Sequence, residues 1–131
     1  MARKAATHLM FTGDASPALD FYASVFPSFR VEQVERYAEG DGNARGMVKR
    51  ADASLMGHAL IVIDSPVKHA FTFTPAVSLF VECESREELE RAFATLSAGG
   101  QVFMPLDNYG FSQRFGWCAD RFGVSWQLNL A

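Results

Sequence analysis

The sequence predicts an α+β fold made of two βαβββ modules, and three observations support this. A strand, a helix and three further strands occur twice in the same order. A capped, amphipathic helix follows the first strand of each half, and the chain closes in a β-hairpin. We expect one domain over residues 1–131, with modules at about 5–65 and 77–131 and a linker at 65–76. Two four-stranded sheets, each covered by one helix, would form a half-closed mixed β-barrel with a central cavity.

The bulk properties argue against nucleic acid as the main partner and against a membrane span. A chain of 131 residues that is 49% hydrophobic and 21% charged suits one soluble domain with a real core. Its net charge of −3 argues against nucleic acid, because there is no basic excess to neutralise phosphates. No apolar run is long enough to span a membrane or to form a signal-peptide core. We expect a cytoplasmic protein in which Cys83 and Cys118 are buried, reduced thiols.

The first module begins with a strand at Thr7–Thr12, which places Leu9 and Phe11 on one face. Ser16 is predicted to cap the following helix, and Pro17 fits its first turn, where a missing N–H costs nothing. The apolar stripe at helical spacing comprises Ala18, Leu19, Phe21, Tyr22, Val25 and Phe26, and Pro27 ends the helix.

Three further strands are predicted at Phe29–Ala38, Gly46–Leu55 and Ala59–Asp64. The loop Glu39–Arg45 contains two glycines, but it joins strands instead of opening a helix and lacks a third glycine. It is therefore not a nucleotide-binding fingerprint. His58 is expected in a solvated turn.

The second module is predicted to open with a strand at Val77–Cys83. Ser85 and Glu88 have the spacing of a capping box, and Gly99-Gly100 supplies the end of the helix. A strand at Gln101–Pro105 and a turn precede the hairpin. In the linker, His69 is either a solvated loop residue or part of a lid.

The closing hairpin, Phe111–Leu130, turns at Asp120–Gly123 and holds both tryptophans. Its last strand alternates between an apolar and a polar face. The apolar residues are Val124, Trp126, Leu128 and Leu130, and the polar residues are Ser125, Gln127 and Asn129. We expect the polar row to face a wet concavity, with Gln127 directed into the site.

Three stretches resemble one known family: GDASPALDFYASVFP, FTFTPAVSLFVECES and LSAGGQVFMPLDNYGFSQRFGWCADRFGVSWQLNL. They are similar to the PhnB-like group, often labelled 3-demethylubiquinone-9 3-methyltransferase-like. That group belongs to the vicinal oxygen chelate superfamily, with glyoxalase I, bleomycin-resistance proteins and extradiol dioxygenases. The resemblance implies paired βαβββ modules, a cavity and a homodimer. The residues do not support methyl transfer, because no strand–glycine loop–helix could hold S-adenosylmethionine.

The resemblance also implies where a divalent metal would be held in the wider superfamily. His8 falls at or next to the first-strand ligand, and Ser78 or Val77 takes the place of the ligand that opens the second half. Gln127 replaces the carboxylate of the last strand, and Arg50 stands where PhnB-like proteins often carry a histidine. One imidazole and one amide give few donors, and Arg50 would repel a cation. We therefore expect no cofactor and disfavour a divalent metal; a ligand donated by the partner chain of a dimer is the alternative that stays open.

The same positions suit a binding pocket, in which polar donors would lie beside an aromatic wall. The candidate ligand-binding residues are His8, Arg50, Ser78, Ser112, Gln113, Trp117 and Gln127. Arg50 would pair with a carboxylate or phosphonate, or else with Asp52 two residues along the strand.

Three hypotheses therefore remain open. The first, which we favour, is a metal-free protein that binds a small molecule. The second is a metal-dependent lyase, isomerase or dioxygenase of the glyoxalase type. The third is a purely structural dimer module. A homodimer is expected in each case, through pairing of first strands or exchange of a module.

Overall fold

The computed structural model describes all residues 1–131. The chain forms two compact units, Met1–His69 and Ala70–Ala131. The boundary between them falls inside the predicted linker. Neither helix of the protein is long and apolar enough to cross a membrane.

The first unit is a four-stranded mixed sheet with one helix. Its elements are β1 (Thr7–Phe11), α1 (Ala15–Val25), β2 (Phe29–Arg36), β3 (Val48–Leu55) and β4 (His58–Asp64). The first strand pairs in parallel with the last, and the other two pairings are antiparallel, so the order is β1-β4-β3-β2. A short 3₁₀ helix, Glu39–Ala44, joins the second and third strands.

The second unit has the elements β5 (Ser78–Glu82), α2 (Arg86–Ser97), β6 (Gln101–Asp107), β7 (Arg114–Ala119) and β8 (Ser125–Leu130). It repeats the arrangement of the first unit in the order β5-β8-β7-β6, again with a parallel pair between its first and last strands. The shared order confirms the predicted α+β class with two βαβββ modules and the internal repeat.

Each sheet buries the face that its helix covers. In the second unit, α2 packs against β6, β7 and β8 and buries Leu89, Ala92, Phe93 and Leu96. The strands contribute Leu79, Val81, Trp126 and Leu128 from the same side. Gly116 allows this close packing, because a Cβ there would lie 2.6 Å from the Phe93 ring.

The start of α1 differs from the prediction. The helix begins at Ala15, so Ser16 is its second residue and not its cap, and Asp14 at the cap position makes no side-chain cap hydrogen bond. The buried Asp64 at the end of β4 accepts hydrogen bonds from the start of the helix instead. Its Oδ1 accepts from the backbone N–H groups of Gly13 at 2.8 Å and Ala15 at 3.0 Å. Its Oδ2 accepts from Val48 N–H at 3.0 Å, which ties β3 to the same point.

The predicted cap of α2 is confirmed for Ser85, whose Oγ accepts from Glu88 N–H at 3.1 Å. The Glu88 carboxylate accepts from Glu84 N–H at 3.0 Å, one residue before the position that a capping box requires. Gly99, at a φ of 77°, ends the helix as expected.

Most strand limits differ from the predicted ones by one or two residues. β3 begins at Val48 and not at Gly46, because Gly46 has a φ of 84° and its N–H bonds back to the Tyr37 carbonyl in a turn. β6 extends beyond Pro105 to Asp107, which pairs with Phe115 across an irregular register.

The predicted turn of the closing hairpin is confirmed and is held by the buried Asp120. Its Oδ1 accepts from the N–H groups of Phe122 at 2.9 Å and Val124 at 3.1 Å. Its Oδ2 accepts from Trp126 Nε1 at 2.9 Å, so the turn is also joined to the core.

We predict that Asp64→Ala lowers the free energy of unfolding by about 3 kcal/mol, because three buried or half-buried N–H groups lose a charged acceptor. Asp14→Ala is the matched control and should cost less than about 0.5 kcal/mol, since Asp14 makes no cap hydrogen bond. Urea unfolding of both variants measures the difference. Equal midpoints for the two variants would contradict this account of the helix start.

We also predict that Cys83 and Cys118 resist thiol reagents in the folded protein at pH 8. Burial, helped by nearby carboxylates, raises the pKa of Cys83 to about 11 and that of Cys118 to about 12. Because the unfolded thiols ionise first, the free energy of unfolding should fall as the pH rises from about 9 through these values. Reagent labelling with and without denaturant, and unfolding at alkaline pH, test this. Rapid labelling of the folded protein at pH 8 would refute it.

Candidate functional site

The last strand, β8, presents two chemically different faces. Trp126 and Leu128 are fully buried on the side of α2. The register of the sheet puts Ser125, Gln127 and Asn129 on the other side, which we call the open face of the second sheet. The predicted alternation is therefore confirmed, but the row is not uniformly wet, because Ser125 is 2% and Asn129 7% exposed.

Four side chains of the open face form one hydrogen-bonded group, which we call the serine cluster: Ser78, Trp117, Ser125 and Gln127. The parallel register sets Ser78 opposite Ser125, and their Oγ atoms lie 2.6 Å apart. Trp117 Nε1 donates to Ser125 Oγ at 2.8 Å. Gln127 Nε2 donates to Ser78 Oγ at 3.2 Å. Three predicted site residues thus come together around Ser125.

A second polar group lies on the same face of the sheet. Ser112 Oγ donates to Asn129 Oδ1 at 2.5 Å, and Asn129 Nδ2 donates to Glu82 Oε2 at 3.0 Å. Ser112 is therefore not a member of the serine cluster. Glu82 and Asn129 were not among the predicted site residues, although their alternating positions on β5 and β8 indicate the polar face.

Aromatic side chains lie between and beside these polar groups. Phe80 stands on β5 between Ser78 and Glu82 and is 53% exposed. Its ring centroid is 6.3 Å from that of Phe115, which in turn contacts Phe111 at 5.1 Å. Phe111 is 64% exposed. We call Phe80, Phe111 and Phe115 the aromatic patch.

Gln113 lies at the end of the sheet and not on the serine cluster. Its backbone N–H donates to the Leu130 carbonyl at 3.0 Å, and its side-chain Nε2 donates to the Ala131 carbonyl at 2.7 Å. The residue therefore holds the C-terminal end of β8 in place.

His8 and Arg50 belong to the first unit. His8 is exposed on β1 and faces away from the buried Leu9, and its imidazole makes no hydrogen bond. Arg50 donates through Nη2 to Asp52 Oδ1 at 2.9 Å, the alternative that the sequence left open. The hydrogen bond and the charge of Asp52 raise the pKa of Arg50, so its guanidinium stays charged and engaged.

The other two histidines have polar partners in the same unit. His58 follows the turn at Met56-Gly57, is exposed and bonds Thr7 Oγ1 at 2.8 Å. His69 bonds Ser65 Oγ at 2.9 Å. Ser65 also lines a cavity of about 250 Å³ with Thr12, Met47, Pro66, Val67 and Lys68.

The serine cluster does not fit a divalent cation. All four of its side chains are neutral, and an indole N–H only donates. The hydroxyl oxygens already accept from Trp117 and Gln127. No group of three or more His, Cys, Asp or Glu side chains in the structure could hold a metal ion.

Comparisons with known proteins identify the family. The family model for 3-demethylubiquinone-9 3-methyltransferase matches residues 3–129. The structure of a PhnB protein from Bacillus cereus is 46% identical, covers 98% of this chain and 100% of its own, and has a TM-score of 0.93. Protein YjdN of Escherichia coli (strain K12) is 21% identical over 94% of this chain and 92% of its own length.

The fold extends to more distant proteins. The glyoxylase/bleomycin resistance protein/dioxygenase domain from Frankia sp. EAN1pec is 14% identical, covers 100% of this chain and 93% of its own, and has a TM-score of 0.71. This likeness shows the fold alone. The chain belongs to the 3-demethylubiquinone-9 3-methyltransferase family and is PhnB-like.

Proposed function

We propose that the protein binds a small organic molecule, without a metal ion, at the open face of the second sheet. The observation that carries this proposal is the serine cluster, a neutral hydrogen-bonded group beside exposed aromatic rings. A few fixed polar groups next to apolar surface are typical of small-molecule sites. The cluster would orient the ligand, and the aromatic patch would cover its apolar part.

Methyl transfer is not part of the proposal. A nucleotide-like cofactor needs a glycine-rich loop and free N–H groups at a helix start. The loop before α1 has one glycine, Gly13, and its N–H already donates to Asp64. The loop before α2 is Cys83-Glu84-Ser85 and contains no glycine.

A second candidate function is a metal-dependent lyase, isomerase or dioxygenase of the glyoxalase type. His8 favours it, because its exposed imidazole makes no hydrogen bond and is therefore available as a ligand. The serine cluster opposes it, because neutral hydroxyl and amide groups hold divalent cations weakly.

We predict far less than one equivalent of metal per chain after purification without chelator, and no uptake of added Zn²⁺ or Mn²⁺. Elemental analysis of the wild type, His8→Ala and His58→Ala should give the same low value. His58→Ala is the control because His58 is also exposed but bonds Thr7. Stoichiometric metal that is lost only in His8→Ala would establish the second candidate instead.

We predict that small aromatic compounds found by a thermal-shift screen move the NMR signal of the Trp117 indole N–H, which lies in the serine cluster. The signal of Trp126, fully buried and bonded to Asp120, should stay in place. Trp117→Phe and Trp126→Phe assign the two signals.

The same compounds should bind Ser125→Ala about tenfold more weakly, because Ser125 joins Trp117 to Ser78 and its loss disorders the cluster. Ser54→Ala, a strand serine of the first unit that bonds Glu32, is the control and should bind as the wild type does. Unchanged affinity in Ser125→Ala would place the ligand elsewhere.

A further inference from the structure

We infer that the serine cluster selects an uncharged carbonyl compound with a flat apolar body, such as an aromatic ketone. This inference rests on the proposed function and specifies its ligand class. It follows from a count of donor protons, from the charges of the open face and from the exposed ring of Phe80.

The serine cluster has more donor protons than it uses. Its four side chains carry five: one on the indole, one on each hydroxyl and two on the amide. They share three hydrogen bonds, which leaves two protons without an acceptor inside the cluster. The Ser125 oxygen must accept from Trp117, because an indole N–H cannot accept.

This surplus does not depend on how the Gln127 amide is turned. As placed, Gln127 Nε2 donates to Ser78, and one hydroxyl proton and one amide proton are left. With the amide reversed, Ser78 would donate to the carbonyl oxygen, and both amide protons would be left. In either case two donor protons remain without an acceptor in the cluster, and a ligand group that accepts hydrogen bonds, such as a carbonyl oxygen, would satisfy them.

The charges of the open face disfavour an anion as the source of that oxygen. The ionisable side chains among the residues that the register places on this face are Glu82 and Asp107, and both are acidic. Arg114 points to the helix side, where its Nε lies 3.4 Å from Glu90 Oε1. An anion would therefore lose its hydration without gaining a cationic partner on this face. A neutral carbonyl oxygen avoids this cost.

Phe80 accounts for the apolar body of the ligand. It is 53% exposed and lies two residues from Ser78 on the same face of β5, so a ring whose oxygen meets the cluster would also cover it. The Trp117 ring is held in place, since it packs on Phe103 with ring centroids 5.1 Å apart.

The test compares three molecules with the same fused-ring skeleton by NMR titration: α-tetralone, tetralin and tetralin-1-carboxylate. We expect wild-type protein to bind α-tetralone at least about tenfold more tightly than either of the others, as judged from the Trp117 indole signal. The decisive variant is Gln127→Glu, which has the same shape. A carboxylate at position 127 accepts a hydrogen bond from the Ser78 hydroxyl. The Ser78 oxygen then accepts from the Ser125 hydroxyl, and the Ser125 oxygen accepts from the Trp117 indole. Every donor proton of the cluster is then used.

Gln127→Glu should therefore bind α-tetralone no better than tetralin. Gln33→Glu, which adds the same charge at an exposed position of β2, should keep the wild-type preference. An unchanged Trp126 indole signal shows that each variant is folded. If Gln127→Glu does not fold, Gln127→Met takes its place and should show a weakened preference for the ketone over the hydrocarbon.

The outcomes separate the two proposals. Equal binding of ketone and hydrocarbon, tighter binding of the carboxylate, or a ketone preference that survives in Gln127→Glu overturns the carbonyl inference and leaves the binding function standing. If none of the three molecules moves the Trp117 signal while other compounds from the thermal-shift screen do, the inference alone fails. If no compound moves it, both fail.

Discussion

The parallel pairing of first and last strands is the constraint on which each unit depends. It brings β5 beside β8, so that Ser78 and Ser125, 47 residues apart, become direct neighbours. Closing so long a loop costs chain entropy, and the burial of apolar residues from both strands offsets it. Without this pair, β7 and β8 would supply only Trp117, Ser125 and Gln127, and the serine cluster would lack the hydroxyl that links Ser125 to Gln127.

Two buried aspartates complete the backbone hydrogen bonds where the strands end. Asp64 accepts from the start of α1 and from β3, so one carboxylate joins three elements of the first unit. Asp120 accepts from its own turn and from the Trp126 indole. Buried N–H groups without acceptors are costly, and each of these carboxylates supplies the acceptors that the N–H groups around it would otherwise lack.

Local patterns predicted the elements well and their capping only in part. The apolar stripes of both helices and the two faces of β8 were correct, because these depend on spacing within a short segment. The Ser16 cap was wrong, because Asp64 approaches α1 from 49 residues away in the chain. The residues of the candidate site were likewise predicted only in part. Ser78, Trp117 and Gln127 do meet, whereas Ser112 joins Asn129, Gln113 holds the chain end and Arg50 pairs with Asp52.

The sequence by itself determined the order of the elements, the buried face of each and the family to which the chain belongs. Only the tertiary structure decided which polar side chains meet, and it showed that Ser125 lies at the centre of the serine cluster. The physical reason is strand register. A shift of one residue would turn every side chain of a strand to the other face, and the register is set by pairing between segments that are distant in the chain. The alternation along β8 identifies which of its residues lie on the open face, but the hydrogen bonds that these residues make depend on β5 and β7.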